Sequence, residues 1–521
     1  MTEEIKKNSN YLRGTLSEDL NNQITGSLTS DNHQLIKFHG IYEQDDRDRR
    51  DIRAKKKLEK DYSFMVRLRI AGGRVSANQW VAINDLVDNS YSKSVKITTR
   101  QTIQLNGIIK SKLKPSMQYF DKYGLDSIAA CGDVNRNVMS SVFGNDIDEL
   151  HKLAVDISEE FLPKTNAYKE VWLDGERIEK DVEPIYGDTY LPRKFKIVIA
   201  NPPFNDVDVY AHDIGLIKID NGFNVIVGGG MGMTHGNKDT YPRLGSLIGF
   251  VKKEKILEVV RQIILIQRDH GNRENRKQAR LKYTIDKLGL DWFKIELRKR
   301  LGFDWEKEKD FEFTKRSDQF GFDDNKFCLF VENGRVLGGV KDFLLKIAKE
   351  NLGNFNFTNN QNVIITDIYD KNRFQELLDE YSLNNEQSKI RHSGLACVAL
   401  NTCPLALAEA QRYMPSLITK IEKIMSNHDL ENEDISIRMT GCPNGCARPY
   451  LAEIAFVGTS LGKYNMYLGG DYLGRKLNKL YRESLNEEEI LSELNSLFNK
   501  FKKERLNKEN FGKFYNRTKS N

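Results

Sequence analysis

The amino-acid sequence predicts an α+β fold with an internal duplication. A small strand–helix–strand module near the amino terminus recurs in the second half of the chain. A longer α/β unit also occurs twice, with a strand that enters a loop rich in proline and asparagine and a later strand that ends in glycines. Alternation typical of strands and spacing typical of helices both occur in each unit. We therefore expect two related halves, each a small module followed by a larger α/β domain.

Composition limits the classes of protein that the chain can represent. Its 521 residues, 39% hydrophobic and 30% charged, can bury two or three cores. The net charge of +6 comes from 80 basic and 74 acidic residues, a balance that does not indicate a nucleic-acid-binding protein. The amino terminus lacks the apolar region of a secretory signal, and no apolar run approaches the roughly 18 residues of a membrane span. We expect a cytoplasmic protein whose thiols stay reduced.

Residues 1–61 form a polar amino-terminal arm. Its most charged part runs from Asp45 to Lys57 and mixes both signs. Such a run is typical of a solvated arm or an exposed helix. The alternative is an arm that wraps over another domain or subunit, which the apolar stretch from Leu35 to Tyr42 favours.

Residues 62–128 and 326–390 are predicted to pair as one pseudo-symmetric domain. In the first copy, a strand at Phe64 to Ile70 precedes a helix near Gln79 to Val87 and a strand from Val95 to Leu105. The second copy repeats this order, and its stretch from Phe357 to Val363 aligns with the stretch from Ile97 to Ile103.

Residues 129–325 and 391–521 are the predicted larger domains. The segment from Phe195 to Gly230 has the same layout as the segment from Ile435 to Gly470. Only the second copy contains the clustered cysteines. One half therefore kept the cofactor chemistry, and the other supplies structure and wall residues.

A basic stretch from Asp269 to Tyr283 lies between the two copies. If it is helical, four of its cations share one face at i, i+3, i+4 and i+7 spacing. These cations are Arg273, Arg276, Lys277 and Arg280. The stretch is either a solvated helix face or a wall that binds anions, since arginine binds carboxylates with two hydrogen bonds.

Four of the six cysteines form two close pairs, Cys397 with Cys403 and Cys442 with Cys446. Four thiolates can hold a cubane iron–sulfur cluster or a tetrahedral zinc ion. The first pair has five intervening residues and precedes a stretch, Pro404 to Arg412, that we expect to be helical, which is unlike a zinc knuckle. Spacing therefore favours the cluster and leaves zinc or inert thiols as alternatives. Glycines in the second pair are expected to direct backbone N–H groups towards the sulfurs.

Together with other motifs, these pairs resemble the signature of sulfite and nitrite reductases that contain sirohaem and a [4Fe–4S] cluster. The resemblance extends over nearly the whole chain. Within these reductases, the chain is similar to the hemoprotein (beta) subunit family of assimilatory sulfite reductases. The further motifs that carry it begin at Tyr11, Phe38, Thr99, Asn135, Tyr190, Gly228 and His235.

The resemblance implies a fold and a reaction. The fold is that of sulfite and nitrite reductases, with two ferredoxin-like half-modules paired as one domain and two larger sirohaem-binding domains. The reaction is the six-electron reduction of sulfite to hydrogen sulfide, in sulfate assimilation and cysteine biosynthesis. The four cysteines would hold the cluster, Cys446 would bridge it to the sirohaem iron, and an NADPH-dependent flavoprotein subunit would supply electrons.

The resemblance also implies roles for individual cations and amides. The residues expected to bind sulfite are Arg67, Arg136, Lys194 and Lys196. Those expected to contact sirohaem are Arg69, Lys96, Arg100, Gln101, Asn137, Arg276 and Lys277. Lys96 stands where the family leads us to expect arginine, so it keeps the charge and loses the two-pronged donor. Cys131 and Cys328 are interpreted as ordinary buried thiols.

Three alternatives remain open on the sequence. A nitrite reductase or a ferredoxin-dependent sulfite reductase would share this fold and these cofactors. A zinc-stabilised binding protein without enzymatic activity is the alternative from another class. The segment from Gly228 to Gly232 lacks the spacing of a dinucleotide-binding loop, so the electrons must come from another protein.

Overall fold

The computed structural model describes residues 2–90, 92–177, 181–384 and 386–519, which contain 20 strands and 17 α-helices. The strands β1 to β20 are, in chain order, Ile41–Asp45, Tyr62–Arg67, Arg74–Val75, Val95–Ile97, Ile103–Ile108, Met139–Ser140, Ile197–Ala200, Ile214–Ile219, Gly222–Val227, Ser246–Lys252, Gly321–Asp323, Lys326–Leu329, Arg335–Val336, Asn354–Phe357, Val363–Thr366, Leu395–Ala396, Ile437–Thr440, Ile454–Ser460, Lys463–Leu468 and Lys479–Leu485. The helices α1 to α17 are Thr2–Lys7, Leu16–Asn21, Ser30–Leu35, Arg50–Lys55, Ala77–Asp88, Lys110–Lys122, Ile147–Glu160, Ala167–Leu173, Ile256–His270, Leu281–Leu288, Leu290–Leu301, Gly338–Lys349, Lys371–Glu380, Lys389–His392, Met414–Ser426, Glu487–Glu504 and Phe511–Lys519.

The two small modules share their sheets. The first sheet has the order β1-β2-β5-β4-β13, and the second has the order β11-β12-β15-β14-β3. The two-residue strand β13 of the second module pairs antiparallel with β4, and β3 of the first module pairs antiparallel with β14. Each module therefore lends one short strand to the other, which joins the two halves of the chain at its centre.

A tight turn interrupts the strand predicted from Val95 to Leu105. The backbone N–H of Thr98 donates to the carbonyl of Thr102 at 2.7 Å, which separates β4 from β5. The second module has the same turn, in which Thr358 donates to Asn362 at 2.9 Å. The prediction of one continuous strand is thus wrong, and the aligned segments are repeated β-turns.

The two larger sheets have one topology. In the first, β6, β7 and β8 run parallel, and β9 and β10 follow as antiparallel neighbours. In the second, β16, β17 and β18 run parallel, followed by antiparallel β19 and β20. All four residues of β7 and of β17 are buried, as expected for parallel strands covered on both faces.

The amino-terminal arm is folded rather than irregular, and most of it is not a solvated arm. It contains four helices, and β1 pairs with β2 in the register Ile41 to Val66. Leu16 and Ile36 are fully buried in the core of the first half. Lys6 Nζ donates to the carbonyl of Leu191 at 2.8 Å, so the arm covers a neighbouring part of the chain, as the alternative interpretation expected.

Two predicted helices are wrong because other groups take their backbone donors. Near Arg276, the structure has a short 3₁₀ turn, and the side chains of Asn272 and Asn275 accept from nearby backbone N–H groups. In the stretch from Pro404 to Arg412, the N–H groups of residues 407 and 408 donate to the carbonyl of Gly441. No helix of the described residues is long and apolar enough to cross a membrane.

Candidate active site

A narrow cavity lies where the first half meets the cysteine loops of the second. It is lined from both sides by cations and by one thiol. The lining residues are Thr99, Arg100, Lys194, Lys196, Ala211, His212, Met231, Gly232, Arg280, Asn444, Gly445, Cys446 and Arg448. This concentration of positive charge suits an anionic ligand.

Parallel strands bring the two cysteine pairs together. Cys397 directly follows β16, and Cys442 comes two residues after the end of β17, its parallel neighbour. The carboxyl ends of parallel strands meet at one edge of the sheet, so both loops start from that edge. The N–H of Gly441 donates to Cys397 Sγ at 3.3 Å, as expected from the sequence. A Cβ on Gly441 would lie 2.6 Å from the Cβ of Ala399, which explains why glycine stands there.

The four thiols interact electrostatically. Burial raises the pKa of Cys397, and the three other cysteines raise it further. Burial, and then Cys446, raise the pKa of Cys442 to about 12. Bound iron reverses this effect because it stabilises thiolates. Among the described residues, no group of three or more His, Cys, Asp or Glu is arranged to hold a metal ion, the four thiols included.

Cys446 is the one cysteine of the four that lines the cavity, and it is exposed. Its carbonyl accepts a hydrogen bond from Thr99 Oγ1 at 2.8 Å. The glycine-rich segment of the first half closes against the same loop, since Met233 N donates to the carbonyl of Pro443 at 2.9 Å. Gly445 has a φ of 64°, and a Cβ there would lie 3.0 Å from the carbonyl oxygen of Met231. The loop is thus held by the half of the chain that lacks cluster cysteines.

Lys194 and Lys196 flank Phe195 just before β7, and both line the cavity. Burial, and then the neighbouring Arg193 and Arg136, hold the pKa of Lys194 well below its usual range. Burial, and then Lys194 and Arg100, do the same for the pKa of Lys196. Neither ammonium group has a carboxylate or a hydrogen-bond acceptor within the described part of the chain. Two unpaired lysines in one cavity are a feature of an anion site.

Arg67 and Arg136 lie among groups that the sequence analysis missed. Arg67 Nη2 donates to Gln104 Oε1 at 2.7 Å, and its Nη1 donates to Cys131 Sγ at 3.4 Å. Burial lowers the pKa of Arg136, but Tyr42 and Cys131 act against it, and the pKa is raised overall.

Cys131 is a buried free thiol, as interpreted from the sequence, and it also accepts a hydrogen bond from Arg67. Cys328 packs in an apolar cluster with Val142 and Ile364, as expected. Tyr42 could have been found from the sequence, because it ends the motif that begins at Phe38.

Arg100 projects from the β4–β5 turn into the cavity. Burial, and then Arg448 and Arg136, lower the pKa of Arg100 to about 9. Its Nη1 lies 3.2 Å from His212 Nδ1, and its buried Nε has no partner within the described residues. A ligand carboxylate could supply the missing acceptor.

Gln101 and Asn137 use their amides on the backbone. The Gln101 amide donates to the carbonyl of Ser140 at 3.0 Å and accepts from its N–H at 2.9 Å. The Asn137 amide does the same with Ile70, at 2.9 and 2.8 Å. Both side chains hold the turn that carries Arg100, and neither lines the cavity.

The remaining cations predicted to contact sirohaem lie outside the cavity. Arg69 donates to Asp126 through two hydrogen bonds of 2.9 and 2.5 Å. Arg276 binds Asp133 in the same way, at 2.6 and 3.0 Å. Lys277 is exposed. These pairings do not support direct contact with a ligand in the cavity.

Lys96 and Arg280 differ from their predicted settings. Lys96 Nζ donates to the carbonyl of Ala396 at 3.3 Å, and burial lowers its pKa to about 7 while nearby Cys397 raises it. Lys96 therefore lies beside the cysteine pair rather than in the cavity. Of the proposed helical wall, only Arg280 lines the cavity, and it binds Asp213 at 3.0 and 2.6 Å.

A buried ionic network behind the cavity was also missed. Asp208 is fully buried and binds Arg316, Arg438 and Arg448. Arg448 ends the second cysteine motif and donates to the carbonyl of Thr99 at 2.8 Å. Its place in that motif was the available signal, whereas its partner Asp208 lies 240 residues away in sequence.

Comparisons with known proteins agree with this geometry. Residues 56–123 match the nitrite/sulfite reductase ferredoxin-like half domain, and residues 157–304 match the nitrite and sulphite reductase 4Fe-4S domain. The second match lies in the half without the cysteine pairs. The assignment of the four cysteines as cluster ligands therefore stays a prediction.

Full-length relatives carry one name. The sulfite reductase [NADPH] hemoprotein beta-component of Leptospira biflexa is 53% identical and covers 99% of this chain and 98% of its own. That of Staphylococcus epidermidis is 51% identical and covers 98% and 93%. The structure of Mycobacterium tuberculosis NirA protein has a TM-score of 0.81 at 24% identity and covers 99% and 95%, which supports the fold alone. The predicted family and the α+β fold are confirmed: the chain belongs to the nitrite and sulfite reductase family and, within it, to the sulfite reductase [NADPH] hemoprotein beta-components.

Proposed function

We propose that the chain reduces sulfite to hydrogen sulfide at a sirohaem coupled to a [4Fe–4S] cluster. Cys397, Cys403, Cys442 and Cys446 would hold the cluster, with Cys446 shared with the sirohaem iron. The observation that carries the proposal is that one cavity contains the Cys446 thiol together with the unpaired ammonium groups of Lys194 and Lys196. The names of the relatives support sulfite as the substrate.

The residues present fit these cofactors. Sirohaem carries several carboxylates, and the cavity offers Arg100, Arg280 and two lysines. The unpartnered Nε of Arg100 is a ready donor for one of those carboxylates. When bound, sirohaem and the cluster supply the redox chemistry and the electrons.

The chain itself would bind the oxyanion and provide protons. Arg67 and Arg136 would supply guanidinium donors to sulfite oxygens, although Arg136 Nε and Nη2 both donate to the carbonyl of Gly132 in the structure, at 3.0 and 2.9 Å. Burial lowers the pKa of Lys194 and of Lys196, which makes each ammonium group a better proton donor to a bound oxyanion. Sulfite loses its oxygens as water, and donors aimed at the departing oxygen stabilise the charge that develops there.

Hydrogen bonds to sulfur would hold and tune the cluster. Besides the Gly441 N–H bond to Cys397, Asn444 Nδ2 donates to Cys442 Sγ at 3.5 Å. Donors to thiolates stabilise negative charge on the sulfurs and raise the reduction potential of iron–sulfur clusters. Both donors come from the second cysteine loop, so this loop would both bind the cluster and raise its reduction potential.

The electron donor is proposed to be an NADPH-dependent flavoprotein alpha subunit. The relatives are named as beta-components of an NADPH enzyme, which supports this partner. A ferredoxin is the alternative donor.

We also propose the domain boundaries 1–61, 62–128 with 326–390, 129–325 and 391–521. The exchange of strands β3 and β13 between the two small modules supports treating residues 62–128 and 326–390 as one domain.

The test is the visible spectrum, iron and acid-labile sulfide content of protein purified from cells that make sirohaem. We expect a sirohaem spectrum and about five irons per chain. Cys446→Ser should lose the coupled spectrum, whereas Cys328→Ala should keep it. Reduction rates for sulfite and nitrite, with the flavoprotein or ferredoxin, then decide substrate and donor. Wild-type protein without iron and without sulfite reduction by reduced methyl viologen would overturn the proposal.

A further inference from the structure

The amino-terminal arm reaches the first cysteine loop directly. Arg47 Nη1 donates to the carbonyl of Ala406 at 2.6 Å and to the carbonyl of Cys403 at 3.2 Å. The backbone N–H of Arg47 donates to the carbonyl of Asn401 at 3.3 Å. Asn401 Nδ2 in turn donates to Asp46 Oδ1 at 2.7 Å. Four hydrogen bonds thus join two adjacent arm residues to one short stretch of the loop.

This loop has little structure of its own to hold it. Residues 397–413 contain no helix or strand. Their inner side is tied to the end of β17, where the N–H groups of Leu407 and Ala408 donate to Gly441. The side that carries Cys403 is the side that the arm holds. An ion pair between Asp48 and Arg412, at 2.8 Å, closes the far end of the same contact.

The arm is itself firmly placed. Residues 46–48 follow β1, which pairs with β2 along five residues. Strand β2 ends in Arg67, whose backbone N–H donates to the carbonyl of Gly40 at 3.0 Å. The edge strand β1 therefore lies beside the strand of Arg67, which we expect to bind sulfite, and its carboxyl end leads into the contact with the first cysteine loop.

We propose that Arg47 is a positioning residue for the [4Fe–4S] cluster, which holds the Cys403 loop through two hydrogen bonds from its Nη1 and one from its backbone N–H, and which places a guanidinium group beside that loop. Asp46 and Asp48 add contacts to Asn401 and Arg412, and we call this set of arm-to-loop contacts the clasp. The inference rests on the proposed function, because it requires that the four cysteines bind the cluster. It adds to that function the part of the chain that sets the position of Cys403.

The test compares Arg47→Ala with Arg53→Ala in the full-length protein loaded with its cofactors. Arg53 lies on the same arm, but it contacts Glu59 and Asp61 of the arm itself, so its loss removes equal charge without touching the loop. Outer contacts to metal ligands typically change affinity by about 10-fold or more. We expect Arg47→Ala to release iron to a chelator ~10-fold faster than wild type and Arg53→Ala to match wild type.

The reduction potential of the cluster separates a positioning role from general stability. Arg47→Ala should have a more negative potential than Arg53→Ala, because a nearby positive charge favours the reduced cluster. Arg47→Lys should restore the potential, since it keeps the charge, and only part of the resistance to the chelator, since its ammonium lies on a flexible stem rather than at the fixed position of the guanidinium Nη1.

The outcomes are distinguishable. Equal iron release and equal potentials in Arg47→Ala and Arg53→Ala would overturn the clasp and leave the proposed function intact. Wild-type protein without a cluster would refute the proposed function instead. If Arg47→Ala does not fold, Arg47→Lys against Arg53→Lys decides, because faster iron release is then expected only at position 47.

Discussion

Replacing Asp208 by asparagine tests the ionic network that joins the two halves. The carboxylate of Asp208 is fully buried and accepts from Arg316 at 2.8 Å and from Arg438 at 2.6 Å. It also accepts from Arg448, which ends the second cysteine motif. An asparagine at this position would keep the shape of the side chain and lose its charge.

The expected cost follows from the charges that stay behind. Three guanidinium groups surround one carboxylate, and each of them is nearly fully buried. Removing one partner of a buried ion pair typically costs about 3–5 kcal/mol, because the remaining charge is left uncompensated. We expect Asp208→Asn to lower the free energy of unfolding by about this amount. It should also reduce cluster content, since Arg448 follows Cys446 by two residues.

The same network predicts a dependence on pH. Burial alone would raise the pKa of Asp208, but the three arginines outweigh it and hold the pKa well below its usual range. The contribution to stability is therefore complete above the ordinary pKa of an aspartate, near 3.8, and is lost as the pH falls below it. Asp208→Asn should therefore lose less stability than the wild type as the pH falls through that acidic window, although other carboxylates with a lowered pKa, such as Asp133, still titrate in both proteins.

The assay is the urea midpoint as a function of pH, with iron content measured on the same samples. The matched control is Asp148→Asn, since Asp148 is 86% exposed and pairs only with Arg74 among the ion pairs of the described residues. Exposed pairs contribute little, about 0–1 kcal/mol. If Asp208→Asn and Asp148→Asn shift the midpoint equally, the reasoning about the buried network is wrong.

Three further changes test other parts of the structure. Gly441→Ala should cost about 1–3 kcal/mol by overpacking and lower the iron content. Gly339→Ala, where a Cβ in helix α12 would meet only Tyr381 at 4.0 Å, should leave the iron content unchanged and should not lower the thermal unfolding temperature. Lys194→Gln and Lys196→Gln should each lower kcat for sulfite by about 100-fold with the sirohaem absorbance retained, as steady-state assays with reduced methyl viologen would show. Burial lowers the pKa of His39 from 6.5 to about 4. The free energy of unfolding should therefore fall by up to about 3 kcal/mol as the pH falls from 6.5 to 4, because the unfolded chain binds the proton first. His39→Gln should reduce the slope of the urea midpoint against pH in that range.

The duplication and the clustering of the cysteines could be predicted because both depend on the order and spacing of residues that are close together in the sequence. Equal successions of strand, loop and strand gave the two larger sheets, and the spacing around Cys397 and Cys442 led to the prediction that these cysteine pairs bind a cluster. The same reasoning failed for the stretch after Cys403, where the carbonyl that takes the backbone donors belongs to Gly441. A contact between residues so far apart in sequence leaves no periodic signal.

Charge partners were equally hidden. Arg276 fits a ligand-binding cation by type, yet its fork is occupied by Asp133, 143 residues away. Lys194 fits the same description and has no acceptor among the described residues. The chemical type of a residue predicts what it can bind, whereas the fold decides whether a protein group has already taken that place.

The two halves diverged at matching positions of one loop. When β7 is laid on β17 and the 3₁₀ turn Val209–Ala211 on the turn Pro449–Leu451, Asp206 falls opposite Cys446 and Asp208 opposite Arg448. Asp206 is fixed within its own half, where it accepts from Ser141 Oγ at 2.6 Å.

The neighbouring position shows the reverse division of roles. Lys196 lines the cavity, while Ser436, its counterpart, bonds to buried Glu453 through its N–H and its hydroxyl. In each pair, one residue is used internally and its counterpart faces the cavity. The cavity thus draws both lysines from one copy and the Cys446 thiol from the other, and the ion pair of Asp208 with Arg448 joins the two copies. A single copy has either the thiol or the lysines, so the site requires both halves.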